Sequence, residues 1–102
     1  FEEKNKEYFL GFYGRGKVEI TYDVKANGGN AGVYITLLDK NGRTLAGQDV
    51  VQATNKGTSR FTQTVELNRP QTVIIKVVGA GYGGSGFNPG TLKITFNSGL
   101  VN

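Results

Sequence analysis

Apolar and polar residues alternate along much of this chain. In "KVEITYDVK", Val18, Ile20, Tyr22 and Val24 fall on one side and Lys17, Glu19, Thr21, Asp23 and Lys25 on the other. A period of two marks a β-strand with one buried face and one wet face. "TLKITFN" repeats it with Leu92, Ile94 and Phe96 inward. "RFTQTVEL" does so with Phe61, Val65 and Leu67, interrupted only by Gln63. No segment carries apolar residues at helical spacing over three turns. The pattern predicts antiparallel strands at about 17–25, 31–39, 59–68, 71–79 and 90–97. It places Val18, Ile20, Tyr22, Val33, Ile35, Val65, Ile75, Ile94 and Phe96 in the core.

Two segments, "GVYITLLD" and "TVIIKVVG", are apolar on both faces. Such strands are central, or are covered on both sides. Either the aromatic "YFLGFY" near the start covers their second face, or a partner does. Between strands, "NGG" (27–29), "DKNG" (39–42), "NKG" (55–57) and "NRPQ" (68–71) supply turn residues that accept positive φ or preset a bend. Closely spaced strands of this kind predict an all-β domain. The expected form is a two-sheet antiparallel β-sandwich of seven or eight strands, jelly-roll or Ig-like in topology, with a barrel as the alternative. Residues 8–102 form the single domain, and the charged residues 1–7 a tail that can fray.

Composition narrows the chemistry. The 102 residues contain no histidine, cysteine, methionine or tryptophan. Histidine-dependent triads, thiolate nucleophiles, disulfides and Cys/His zinc sites are therefore excluded. A chain that opens on Phe1 without methionine is expected to be processed, or to be part of a longer polypeptide. No apolar run approaches the ~18–20 residues of a membrane-spanning helix, so no membrane insertion is expected. The net charge is +4, but Lys17, Lys25, Lys40, Arg43, Lys56, Arg60, Lys76 and Lys93 are scattered. Nucleic-acid binders concentrate such charge on one face, so no nucleic-acid partner is expected.

The segment "GAGYGGSGFNPG" (79–90) contains a formal GxGxxG match. A dinucleotide fingerprint needs a helix after it to present amides to the pyrophosphate. Here a strand pattern follows, and no nucleotide or other cofactor is expected. The segment reads as a long hairpin loop in which Tyr82 and Phe87 either cap the core or form a shallow ligand site. Arg15, in the "GRG" turn, is a polar partner for that site. "DKNG" resembles the start of a calcium loop, with Asp39 and Asn41 as oxygen donors, but no glutamate stands at the twelfth position, so the turn reading is preferred. Glu19, Asp23, Asp39, Asp49 and Glu66 lie on wet faces or in turns, without the split environment that a catalytic carboxylate pair needs. The chain is not expected to be an enzyme.

Taken together, "KEYFLGFY", "GKVEITYDV", "AGVYITLLDKNGRTLA", "TVIIKVVG" and "SGFNPGTLKITF" resemble, in order, the strand pattern of the bacterial pre-peptidase C-terminal domain. That β-sandwich is appended to secreted proteases and other exported hydrolases. The likeness covers about residues 6–98. It departs at Asn30, Ala31 and Gly32, where that family often carries acidic residues, so metal binding is not carried over. Jelly-roll carbohydrate-binding modules are similar as well. The resemblance implies a non-catalytic binding or accessory module of an exported bacterial protein, located outside the cell or on its surface. It would have a glycan or matrix-protein ligand and a parent polypeptide or partner subunit. The alternative is a structural subunit of a surface fibre or shell.

Overall fold

The computed structural model describes residues 1, 5–53, 57–80 and 89–98, with the backbone alone at Gln48 and Ser98. Within them the chain is all-β and antiparallel. Five strands run in order: β1 (Glu7–Ala26), β2 (Ala31–Asp39), β3 (Thr44–Ala53), β4 (Thr58–Ala80) and β5 (Gly90–Ser98). They form one hydrogen-bonded sheet in the order β3-β2-β4-β1-β5.

The expected seven or eight strands become five because two junctions are bends, not turns. "YFLGFY" and "KVEITYDVK" belong to the single 20-residue β1, and 59–68 and 71–79 belong to the 23-residue β4. Both long strands bend together. Gly14 pairs with Gln71 and Gly16 with Leu67, so Arg15 faces three residues, Asn68, Arg69 and Pro70, across an irregular register. Gly16 has φ 72°, a conformation that L side chains resist, and this lets β1 turn the corner. Pro70, which has no amide hydrogen to give, sits at the matching point of β4. The β3 strand was visible in the sequence only as the return from the "DKNG" turn, because "TLAGQDVVQA" does not alternate.

The bends fold the sheet over on itself. One half contains β3, β2, residues 71–80 of β4 and residues 7–14 of β1. The other contains residues 58–67 of β4, residues 17–26 of β1, and β5. Two contacts pin the halves face to face. Gln63 Nε2 in β4 donates to Asp49 Oδ2 in the distant edge strand β3 at 3.4 Å, and the Phe12 and Phe96 rings meet at 4.8 Å between centroids. Between the halves lies one core, including Val18, Ile20, Tyr22 and Val24 of β1, Val33, Ile35 and Leu37 of β2, and Val73, Ile75 and Val77 of β4.

Of the predicted core, Val18, Ile20, Tyr22, Val33, Ile35 and Ile75 are buried. Val65 and Ile94 are half-buried, and Phe96 is 40 % exposed. Phe96 lies on β5, which among the described residues has a strand on one side only, so the Phe12 ring covers it in part. The unexplained Gln63 has a role: its Oε1 accepts the hydroxyl of fully buried Tyr22 at 2.8 Å. A buried phenol needs such a partner, so the break in alternation follows from Tyr22.

The N-terminal aromatic segment does not cover the second face of β2 and β4. It extends their sheet as a further strand, pairing Glu7–Gly14 with Gln71–Val78. Phe1 and Asn5, which precede it, are tied as well. Phe1 and Gly90 exchange two backbone hydrogen bonds (2.8 and 3.1 Å), and Asn5 N donates to Gly79 O at 3.0 Å.

Candidate functional site

Tyr82 and Phe87 lie outside the described residues. The strands that flank them do settle one point of topology. β5 pairs with β1, not β4, so the 81–89 connection is not a hairpin. It carries the chain from one half of the folded sheet to the other, and that crossing accounts for a length beyond the few residues a hairpin uses. Its anchors, Ala80 and Gly90, lie beside Gly32 and Ala26. Arg15 lies about eight residues along β1 from Glu7, which pairs with Val78 near that end. At about 3.3 Å per residue this is ~26 Å away. The structure therefore places Arg15, exposed in the bend, at the opposite end of the molecule from the anchors of the glycine-rich segment.

Asp39 and Asn41 are at Arg15's end. Asp39 Oδ1 accepts the amides of Asn41 (2.8 Å) and Arg43 (2.9 Å), and Gly42 N donates to Asp39 O at 3.0 Å. Gly42, at φ 85°, completes the turn. The carboxylate thus serves as the side-chain clasp of a β2–β3 hairpin. Among the described residues, no three acidic side chains gather as metal ligands would.

Beside this turn is a polar cavity of about 300 Å³, lined by Tyr13, Asp39, Lys40, Asn41, Arg69, Pro70, Gln71 and Thr72. Three separate stretches build it. Tyr13 comes from β1 just before the bend, Arg69 to Thr72 from the bend of β4, and Asp39 to Asn41 from the hairpin turn. The pairing of Tyr13 with Thr72 fixes the first two relative to each other. Tyr13 is 73 % exposed, the most open of the large apolar side chains described. Lys40 and Arg69 make no ion pair among the described residues. The ion pairs there are Arg60–Asp23 (2.7 Å) and Lys76–Glu7 (3.2 Å).

An open phenol ring surrounded by amide, carboxylate and cationic groups is suited to a polar ligand with one flat apolar face. Among the described residues that line it, the cavity holds one carboxylate, Asp39, already engaged with two amides. A second cavity, about 200 Å³, is lined among the described residues by apolar and aromatic side chains: Phe1, Tyr8, Phe9, Leu10, Val77, Leu92 and Ile94.

The large ionisation shift lies away from both cavities. Burial holds the Tyr22 hydroxyl well above its ordinary value of 10.0, and the Asp49 charge adds to the effect. On the surface, the hydrogen bond from Arg60 to Asp23, reinforced by the carboxylate's charge, holds the guanidinium more firmly protonated.

Tyr13, Arg69 and Gln71 were not singled out as site residues in the sequence. Tyr13 read as part of an aromatic strand, and Arg69 and Gln71 as punctuation. Their one local signal is that Tyr13 falls on the face opposite to Phe12, the side away from the core. Compared with known protein families, characterised proteins and solved structures, the chain matches none.

Proposed function

We propose that this chain is a non-catalytic binding module of an exported bacterial protein, acting outside the cell or at its surface, and that a glycan docks on Tyr13. The observation that carries this reading is the open Tyr13 ring beside a polar cavity rimmed by Asp39, Asn41, Arg69 and Gln71. A sugar ring offers one C–H face to an aromatic plane and equatorial hydroxyls to surrounding donors and acceptors, and this arrangement accepts both. The folded sheet fits a two-sheet sandwich in which β1 and β4 each serve both layers. The strand pattern similar to pre-peptidase C-terminal domains supports an accessory role beside a parent enzyme.

Titration of soluble neutral and acidic polysaccharides by affinity electrophoresis and calorimetry tests the proposal. Tyr13→Ala should weaken retention at least about tenfold, the scale of ~1.4 kcal/mol, with the melting temperature unchanged because the ring is open. No retained polysaccharide, or retention indifferent to Tyr13→Ala, overturns the site. Loss through Tyr82→Ala instead would move it to the glycine-rich segment. A second reading, a subunit of a fibre or shell, draws on the exposed apolar residues of the β1 edge, and assemblies larger than a dimer in solution would favour it.

A further inference from the structure

Among the described residues, four of the six large apolar side chains that stand exposed lie along one border of the molecule. Phe9 (59 %), Leu10 (42 %) and Tyr13 are on β1, and Phe96 faces Phe12 from β5. Residues 7–14 of β1 pair with β4 on one side. Among the described residues nothing pairs with their other side, because β5 joins β1 only from Val18 onward. The stretch "EYFLGFYG" is thus a sheet edge unpaired among the described residues, eight residues long, with one charge and no proline.

Free edges are templates for another strand, and proteins usually blunt them with charges, prolines, bulges or irregular pairing. The other two edges follow that rule. β3 has register irregularities opposite Ile35, Leu37 and Leu38, and β5 carries Lys93. The β1 edge carries one charge, Glu7 at its very start, already paired with Lys76 at 3.2 Å, and no proline or register irregularity before Gly14. Beside it lies the apolar cavity containing Phe9 and Leu10.

We propose that this edge pairs antiparallel with the same edge of a second copy of the chain, forming a closed two-fold dimer. A two-fold axis through Gly11 keeps inward residues inward and outward residues outward, since opposed residues then share parity. In that register Phe9 of one copy lies opposite Tyr13 of the other on the outer face. Leu10 lies opposite Phe12 on the inner face, and each pair occurs twice. Aromatic and aliphatic cross-strand pairs are favourable neighbours at such spacing. Gly11 at the axis leaves room for the close approach.

The size of the contact sets its strength. Eight residues at about 3.3 Å each run ~26 Å, and the shortest extent of the molecule is 17 Å. The contact is then about 450 Å² per copy and roughly 900 Å² in all, short of the ~1,000 Å² that a stable specific interface clears and in the range of weak, transient contacts. The dimer is therefore concentration-dependent. Because an isologous pair uses up both edges, assembly stops at two copies.

The absence of cysteine makes the test direct. A Cβ at Gly11 would meet nothing nearer than Val73 O at 3.9 Å, so Gly11→Cys is accommodated. Directly opposed residues have Cα atoms about 4.5 to 5.5 Å apart, within disulfide reach. Mild oxidation should link Gly11→Cys into a dimer, while Val50→Cys, on the exposed β3 edge, should stay monomeric. Sedimentation of the cysteine-free chain from low to high micromolar concentration should show monomer passing to dimer and no further. Phe9→Lys, on an open position, should hold it as monomer with an unchanged melting temperature. A monomer at every concentration, crosslinking equal at positions 11 and 50, or growth into larger polymers would each overturn the proposal. None of these outcomes depends on glycan binding.

Discussion

Tyr22 shows how one residue dictates its surroundings. Its ring is fully buried and stacked at 5.9 Å on Phe61, and its hydroxyl reaches Gln63, which in turn reaches Asp49 on the opposite half. Burial, with Asp49's charge added, favours the neutral phenol, so the folded value lies above the 10.0 of a free side chain. Below pH about 10 both states hold the proton and the full stabilisation is present. Above it the unfolded chain releases the proton first, so stability falls as pH rises toward the folded value. Melting temperatures followed from pH 8 to 12 should drop at the alkaline end. Tyr22→Phe should remove part of that drop, since other groups also titrate there. An identical profile for the variant would show that Tyr22 ionises as if exposed.

At the scale of elements, burial separates strands that look alike in sequence. "TVIIKVVG" and "TLKITFN" both place apolar residues at alternate positions, yet Ile75 is fully buried and Ile94 only half so. The β4 strand has neighbours on both sides, whereas β5 has one and forms a border. Ile75→Ala should cost about 2 to 5 kcal/mol in denaturant unfolding, the range for truncating a buried aliphatic side chain. Phe96→Ala should cost roughly 1 to 2 kcal/mol, most of it from partial burial and the ring contact with Phe12. Equal losses would mean that the border is closed in solution. The same reasoning locates the site, because bends and turns bring polar side chains together where the strand ladder stops.

For the whole molecule, the chemistry follows from what the chain contains and how its ends are arranged. On the proposed reading as a binding module, and for a chain without histidine or cysteine, the expected outcome is no turnover of esters, peptides or glycosides. Activity that copurifies with the chain and disappears on one point substitution would contradict this. The polar cavity and the apolar β1 edge meet at Tyr13, whose ring the proposed dimer would place opposite Phe9 of its mate. Glycan affinity and self-association are therefore expected to be coupled, and binding measured across protein concentrations should reveal the sign.

Strand positions and inward faces were legible from the sequence because alternation is a local property of the pleated backbone. Val18 to Val24 on one face of β1 needed no tertiary information, and neither did the turn at Asp39 to Gly42. Gln63 looked like a flaw in its strand because its reason, the Tyr22 hydroxyl, lies 41 residues away. Whether "NRPQ" ends a strand or bends one could not be read either, since Pro70 suits both and the register across from Arg15 decides. The candidate site followed the same division. A glycine-rich segment is conspicuous in sequence, but Tyr13, Asp39 and Arg69 become neighbours only when β1 and β4 bend together beside the β2–β3 turn. Periodicity records which side of a strand meets the core, and composition records which chemistry is possible. Strand order, edges and the meeting of distant side chains arise from non-local pairing, which no local pattern encodes.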